Sequence, residues 1–193
     1  MGDNDNAEAR TRLMQIILER SFKLGEFTLS SGRKSEYYVD CRTTTLHPEG
    51  AYLVAWLIFP WVREAGAEAV GGLTLGADPM AAAVIVESFK QGAPVRGFIV
   101  RKQAKEHGRG KQIEGCLEKG DRVIVLEDVI TTGESALKAV KAAQEAGAKV
   151  VGVVAIVDRE EGGREAIEKE GLTVRALFTA SELKQAAQQM KRD

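Results

Sequence analysis

Short apolar runs alternate with helix-like segments along most of this 193-residue chain. The runs that we predict to be strands lie at 69–73, 95–100, 122–126, 150–157 and 173–178. Strands that are apolar on both faces indicate a parallel sheet covered by helices on both sides. Ligands of such folds bind beyond the carboxyl ends of the strands. Chemistry is therefore expected in the segments that follow Leu73, Val100, Leu126 and Val157.

Helices are predicted where apolar residues recur with helical spacing between these strands. They lie at 9–24, 51–65, 78–91, 135–146 and 165–170. A further helix follows the last strand, with Ser181 as its expected N-cap. Residues 1–8 are expected to form a frayed tail ahead of the first helix.

The overall charge and the cysteines argue against several classes of protein. With 27 basic and 28 acidic side chains the formal net charge is -1, which disfavours nucleic-acid binding through bulk charge. The two cysteines, Cys41 and Cys116, are too far apart in the sequence for a CxxC motif or a zinc-site spacing. No apolar run approaches the roughly 18 residues of a membrane-spanning helix. We therefore expect a cytoplasmic α/β protein that binds neither nucleic acid nor membrane.

The segment VIVLEDVITTGES, residues 123–135, combines features that phosphate-binding sites use. An apolar strand is followed at its carboxyl end by two acids, Glu127 and Asp128. A hydroxyl-rich turn at 131–135 then leads into a helix, whose N-terminus offers free N–H groups and partial positive charge. Gly133 lets the backbone approach a ligand closely. The turn is a predicted phosphate site, and the acids fit it if they face ribose hydroxyls or a Mg²⁺ ion.

The acids and the turn could also be solvated loop residues before an ordinary helix cap, but their order favours the site. In that order the segment resembles the 5-phosphoribosyl 1-pyrophosphate (PRPP) motif of the type I phosphoribosyltransferases. Further stretches make the resemblance specific to one branch, the orotate phosphoribosyltransferases. They are GEFTLSSGRKSEYYVDCR (25–42), GGLTLGADP (71–79), RKQAKEHGRGKQIEG (101–115) and VDRE (157–160).

The resemblance implies a type I phosphoribosyltransferase fold, with a central parallel sheet flanked by helices and a small N-terminal hood. Residues 1–193 would form a single domain, with the hood mainly at 20–45 and the core at 50–180. It implies transfer of the 5-phosphoribosyl group from PRPP to orotate, giving orotidine 5'-monophosphate and pyrophosphate in pyrimidine synthesis. Mg²⁺ is the implied cofactor, held mainly by substrate oxygens and water and by no direct protein ligand.

The stretch at 101–111 is a basic loop, with five basic side chains against one acid. Cations on a mobile, glycine-bearing loop suit a transferase that must stabilise negative charge on departing pyrophosphate. A solvated loop without a role is the alternative, which the neighbouring phosphate motif disfavours. In the family part of this loop reaches into the neighbouring subunit's site, so the resemblance also implies a homodimer with shared active sites.

Individual roles follow from the resemblance. Residues of the loop and the motif are expected to bind PRPP: Arg101, Lys102, Lys105, His107, Glu127, Asp128, Val129, Ile130, Thr131, Thr132, Gly133, Glu134 and Ser135. Those expected to act in catalysis are Arg101, Lys105, His107 and Asp128.

Orotate is a flat anion, so its site needs a stacking face and a cation for the carboxylate. Arg159 follows a buried strand, and its planar fork matches a carboxylate. The resemblance makes Arg159, Thr131 and Tyr38 the orotate contacts. Taken alone, Arg159 could instead form a surface salt bridge with Asp158 or Glu160.

The chain departs from some family members at two positions. They carry lysines that contact substrate phosphates where this chain has Ser30 and Leu75. That work falls here to Lys34, Arg33 or the basic loop, or is absent. Glu127 also stands where Asp is common, and its longer side chain should still reach a ribose hydroxyl.

Two other functions are compatible with parts of the sequence. A phosphoribosyltransferase for a purine base would keep the 123–135 segment but would not need Arg159 for a carboxylate. A regulatory protein could keep the PRPP pocket and bind RNA or a repressor partner, although the net charge of -1 counts against this.

Overall fold

A computed structural model of the chain describes residues 3–28, 32, 34–103 and 112–190. Its strands are β1 (Phe22–Thr28), β2 (Lys34–Val39), β3 (Ala69–Leu73), β4 (Arg96–Val100), β5 (Ile113–Gly115), β6 (Arg122–Ile130), β7 (Lys149–Asp158) and β8 (Thr173–Thr179). Its helices are α1 (Asp3–Arg20), α2 (Arg42–Thr45), α3 (Pro48–Glu64), α4 (Ala77–Lys90), α5 (Glu134–Glu145), α6 (Gly163–Glu168) and α7 (Ala180–Gln189). Within these ranges, no helix has both the length and the apolarity that crossing a membrane requires.

A sheet in the strand order β5-β4-β3-β6-β7-β8 lies at the centre of the fold. Strands β4, β3, β6, β7 and β8 run parallel to one another, which confirms the predicted parallel sheet. The edge strand β5 is antiparallel to β4 and was not among the strands predicted from the sequence. Because the parallel strands point the same way, their carboxyl ends meet at one edge.

Alternate side chains of the central strands pack into two different hydrophobic layers. Val70, Ile124 and Leu126 join a core with α1, α3 and α4 on one face of the sheet. Val123 and Val125 join a second core with α5 and α6 on the other face. Each fully buried aliphatic side chain stabilises the fold by roughly 1.5–3 kcal/mol relative to exposure. The two-sided apolar pattern of the strands therefore produces the predicted arrangement of helices on both faces.

The first helix differs from its prediction at both ends. It begins at Asp3, inside the segment expected to be a frayed tail, and it ends at Arg20 rather than at residue 24. The reason lies in β1, where Phe22 is buried and stacks on Tyr37 of β2, with ring centroids 5.3 Å apart. This long-range aromatic contact takes Phe22 and Leu24 out of the helix and into an antiparallel pair of strands.

The β1–β2 pair is a separate two-stranded sheet in the region predicted to form the hood. Two segments there, residues 29–31 and residue 33, lie outside the described part of the chain. Tyr37 and Tyr38 of β2 point to opposite sides of the pair, because successive strand residues alternate. Tyr37 is buried, whereas Tyr38 is 41% exposed.

The predicted N-cap of the last helix was wrong by two residues. Thr179 caps α7: its hydroxyl accepts a hydrogen bond from the Glu182 N–H at 3.2 Å, and Glu182 accepts one from the Thr179 N–H at 2.8 Å. This capping box satisfies two free N–H groups at once, which a cap at Ser181 would not do. The Ser181 N–H instead donates to the Glu160 carboxylate at 2.8 Å.

Candidate active site

An open cleft of about 310 Å³ lies at the carboxyl edge of the sheet. Its walls come from β2, from the connections after β3 and β4, from β6 and the turn after it, and from the end of β7. The lining residues are Tyr38, Val39, Asp40, Arg42, Leu73, Thr74, Leu75, Gly76, Lys102, Glu127, Asp128, Val129, Thr131, Ser135 and Arg159. A smaller cavity of about 60 Å³ is lined by Glu127 and residues 129–136. The segments singled out at the strand ends thus meet at one place.

The predicted phosphate turn has the backbone that an anion site requires. Gly133 is the N-cap of α5 and has a left-handed φ of 81°. A Cβ at this position would lie 2.8 Å from the Gly163 carbonyl oxygen, so both the backbone angle and the neighbouring chain require glycine. Within the described chain no side chain caps the N-terminus of α5. Its first N–H groups are therefore available to a ligand.

One residue of the turn contributes differently from the others. The carboxylate of Glu134 is exposed and pairs with Lys138 at 2.6 Å, one turn along α5. Lys138 also holds the pKa of that carboxyl below its usual value. Glu134 can therefore serve a bound phosphate through its backbone, while its negative charge is turned to the outer surface.

The two acids lie within β6, since the strand continues to Ile130 rather than ending at Leu126. Glu127 is 6% exposed, and its Oε2 has no hydrogen-bond partner within the described chain. Burial, followed by the negative charge of Asp128, raises the pKa of Glu127 to about 9. A carboxyl oxygen without a hydrogen-bond partner at the wall of a cleft can bond a hydroxyl group of a ligand.

Asp128 is held by its surroundings with its carboxylate at the cleft. Its Oδ1 accepts a hydrogen bond from the Val129 N–H at 3.0 Å. The carboxylate also packs against Gly76 at the start of α4, where any Cβ would overlap it. The absence of a side chain at Gly76 therefore leaves space for the Asp128 carboxylate.

Arg159 directly follows β7. Its N–H donates a hydrogen bond of 2.9 Å to the Ile130 carbonyl, which joins the end of β7 to the end of β6. Its guanidinium is buried and bonds Glu161 at 2.7 Å. The two acids that the sequence offered as partners are engaged elsewhere. Asp158 accepts from Arg164 at 2.8 Å, and Glu160 accepts from the backbone of α7. The alternative of a surface salt bridge with Asp158 or Glu160 is therefore wrong, because the ion pair of Arg159 is buried and its partner is Glu161.

The other predicted residues are distributed unevenly. Lys102 lines the cleft, as does Tyr38, whose exposed ring offers a stacking face. Arg101 is not among the lining residues, and its exposed guanidinium pairs with Glu114 at 3.3 Å. Lys105 and His107 lie outside the described residues.

Sequence reasoning missed a cation at the cleft, Arg42. Asp40 holds its guanidinium through two hydrogen bonds of 2.8 Å, and this contact lowers the pKa of Asp40. Arg42 and Leu75 both line the cleft and an adjoining apolar groove. Lys34, by contrast, is exposed on β2 and is not a lining residue. The signal for Arg42 was its place in the charged DCR triplet directly after a predicted strand-like stretch.

Comparison with known proteins gives the class. The family model described as phosphoribosyl transferase domain matches residues 69–182, which run from the start of β3 into α7. That range contains the whole central sheet, both acids of β6, the phosphate turn and Arg159.

More similar proteins give the branch. The orotate phosphoribosyltransferase of Aquifex aeolicus is 53% identical over 177 residues, covering 90% of this chain and 97% of that protein. A crystal structure of Mycobacterium tuberculosis orotate phosphoribosyltransferase with Fe(III) dicitrate has a TM-score of 0.81 at 45% identity, covering 91% of this chain and 98% of that one. The same enzyme in complex with PRPP has a TM-score of 0.77 at 43% identity, with the same coverage. This chain belongs to the orotate phosphoribosyltransferase family, which confirms the family and the fold predicted from the sequence.

Proposed function

We propose that the cleft transfers the 5-phosphoribosyl group from PRPP to orotate, giving orotidine 5'-monophosphate and pyrophosphate in pyrimidine nucleotide synthesis. One observation carries this proposal: Arg159 faces the same cleft as the acids of β6 and the turn that follows them. A phosphate turn alone would serve many bases, whereas a buried guanidinium at the cleft adds recognition of an anionic base. Family membership and the PRPP complex of the M. tuberculosis relative support it.

PRPP binds along β6 and the turn. The N–H groups at 131–135 hold the 5-phosphate, since this helix N-terminus carries partial positive charge. Glu127 and Asp128 hold the ribose hydroxyls. A Glu127 that is neutral before binding, as its raised pKa favours, also repels the phosphates less than a second carboxylate would.

The acidic wall of the cleft fits a Mg²⁺ ion whose ligands come mainly from the substrate and water. The acids of β6 offer the oxygen donors that Mg²⁺ prefers. No group of three or more His, Cys, Asp or Glu side chains that could hold a metal occurs within the described ranges. In this proposal the ion would be held mainly by substrate oxygens and water, and it would neutralise the charge on pyrophosphate.

The reaction itself requires little proton transfer by the protein. Orotate enters as an N1 anion, and positive charge grows on the anomeric carbon as pyrophosphate leaves. Lys102 at the cleft, together with Arg101, Lys105 and His107, neutralises the departing group. Arg101 must exchange its exposed partner Glu114 for this, at small cost, because solvent-exposed ion pairs contribute only about 0–1 kcal/mol.

A homodimer with shared active sites completes the proposal. Apolar side chains stand exposed with helical spacing on and just before α4: Leu75, Ala82, Val86 and Phe89. Such a stripe supports a protein–protein contact on this face. Leu75 and Arg42 line both the cleft and the apolar groove beside it, so a partner seated there would adjoin the active site. Phe89→Glu should shift the elution volume from dimer to monomer, and a monomeric wild type would contradict the dimer.

The decisive experiment is a base-specificity assay with PRPP and Mg²⁺. Orotate should support pyrophosphate release, while adenine, hypoxanthine and xanthine should not. Purine turnover without orotate turnover would favour the purine enzyme instead. RNA binding in a gel shift, with no pyrophosphate release from any base, would favour the regulatory protein. The cytoplasmic location, the single domain and the lack of nucleic-acid and membrane partners stay predictions.

A further inference from the structure

Contacts on several sides hold the guanidinium of Arg159, although it lies beside the cleft. Its Nε donates to Oε1 of Glu161 at 2.7 Å, and its Nη2 lies 3.4 Å from Oγ of Ser35. The guanidinium carbon lies 4.5 Å from the centre of the Tyr37 ring. Only 6% of the side chain is exposed. A cation this deeply buried is costly unless it is paired and hydrogen-bonded, so its position depends on these contacts.

Glu161 contacts Arg159 from outside the cleft. Arg159 is among the cleft-lining residues, whereas Glu161, Ser35 and Tyr37 are not. Glu161 is also the acid of the 158–161 segment that contacts the guanidinium, since Asp158 and Glu160 bond other groups. Glu161 can therefore act on a ligand in the cleft through its hydrogen bond to Arg159.

The placement of Glu161 determines which edge of the guanidinium a ligand can use. A carboxylate can approach either the Nε–Nη2 edge or the end formed by Nη1 and Nη2. Glu161 occupies Nε, which closes the first approach. Within the described chain the other polar contacts of the guanidinium are the long bond from Nη2 to Ser35 and a hydrogen-bond contact with Tyr37, and neither partner is a carboxylate. The end formed by the two Nη groups is the edge left for a ligand.

We infer that Glu161 is a positioning residue for base recognition, which holds Arg159 against Tyr37 with its two Nη groups available to the carboxylate of the base. The inference rests on the proposed role of Arg159 in orotate binding. Glu161 exerts two opposing effects on that binding. Its hydrogen bond fixes the geometry, which favours binding, and its negative charge weakens the attraction between Arg159 and an anionic base.

Two substitutions separate these effects. Glu161→Gln keeps the acceptor oxygen and removes the charge, while Glu161→Ala removes both. If positioning dominates, Glu161→Ala should raise the KM for orotate about tenfold, the effect of losing one charged hydrogen bond. Its KM for PRPP should stay within about twofold, and Glu161→Gln should recover most of the orotate affinity. If the charge dominates, both variants lower the KM for orotate, and the inference is overturned.

Glu160→Gln is the matched control. It removes the same charge one residue away, where the carboxylate bonds the Ser181 N–H and not Arg159. Its KM for orotate should equal that of the wild type. A rise equal to that of Glu161→Ala would mean that loss of local charge or order, and not positioning, is responsible.

A double-mutant cycle distinguishes failure of this inference from failure of the proposed function. In the Arg159→Ala background, Glu161→Ala should have no further effect on the KM for orotate. If Arg159→Ala itself leaves that KM unchanged, the base-binding role of Arg159 fails. If Arg159→Ala raises it and Glu161→Ala does not, the positioning role alone fails. A Glu161→Ala effect that persists in full without Arg159 would also overturn the inference.

Discussion

The two sides of the cleft that we propose for phosphate and for the base are built in different ways. The proposed phosphate side is one continuous segment, residues 127–135, whose proposed ligand groups are largely backbone N–H groups at the start of α5. The base side joins Tyr37 and Tyr38 of β2 to Arg159 and Glu161 beyond β7, and its Ser35–Arg159 contact spans 124 residues. The phosphate side thus depends on local backbone conformation, and the base side on side chains that only the tertiary fold brings together.

The largest expected effect tests whether the phosphate side can lose function without losing stability. Asp128→Asn keeps the size of the side chain and the acceptor for the Val129 N–H, but it removes the charge beside the proposed ribose site. We expect kcat to fall at least about 100-fold, with the melting temperature changed by no more than about 3 °C. Steady-state kinetics and thermal unfolding measure the two quantities.

Asp121→Asn is the matched control for that substitution. Asp121 is buried, pairs with Arg96 and accepts from the Glu118 N–H at 2.8 Å, at the end of β6 remote from the cleft. It should lower the melting temperature and leave kcat near that of the wild type. An Asp128→Asn protein that is merely unfolded would remove the support for its role at the active site.

On the base side, Arg159→Lys tests whether charge alone is enough. Lysine keeps the positive charge but cannot bond Glu161 and a ligand carboxylate through one planar group. We expect the KM for orotate to rise about tenfold or more, with the KM for PRPP nearly unchanged. Equal increases in both Michaelis constants would contradict a role specific to the base.

A third substitution tests how far the phosphate side depends on its backbone. Gly133→Ala places a side chain at a φ of 81° and 2.8 Å from the Gly163 carbonyl oxygen. It should lower the free energy of unfolding by about 1–3 kcal/mol and raise the KM for PRPP more than that for orotate. Gly162→Ala is the control, because its φ of 87° is similar but nothing lies within 4 Å of the added Cβ. A loss no larger than that of the control would show that the clash with Gly163 is unimportant.

The same contrast explains what could be predicted from the sequence. The acids and the turn of the phosphate side adjoin in the chain, so their order alone located them. The position of Arg159 at this cleft was predicted from its place after a strand. Its contact with Glu161 and the position of Arg42 at the cleft were not, because nothing local shows which acid a buried arginine pairs with or which cation reaches a distant cleft. Some predicted ends of helices were wrong for the same reason. Phe22 lies in β1 and not in the first helix, because its ring stacks on Tyr37 of β2. Thr179 and not Ser181 caps the last helix, because Thr179 and Glu182 exchange hydrogen bonds.

The smallest effect concerns the buried acid of the phosphate side. Glu127 has a pKa of about 9 in the folded protein, well above its ordinary value of 4.5. Below pH 4.5 both the folded and the unfolded chain keep this proton. As the pH rises from there towards 9, the unfolded chain releases the proton first, so Glu127 progressively lowers the stability of the fold.

Glu127→Gln removes this dependence. The variant should match the wild type near pH 4 and become more stable than it as the pH rises, by on the order of 1 kcal/mol or more at pH 8. Thermal unfolding across that pH range measures the difference. Glu134→Gln should behave in the opposite sense, since pairing with Lys138 lowers the pKa of that exposed carboxyl and its contribution is lost as the pH falls. If the two variants showed the same pH dependence, burial would not distinguish the acid inside the cleft from the acid on its outer surface.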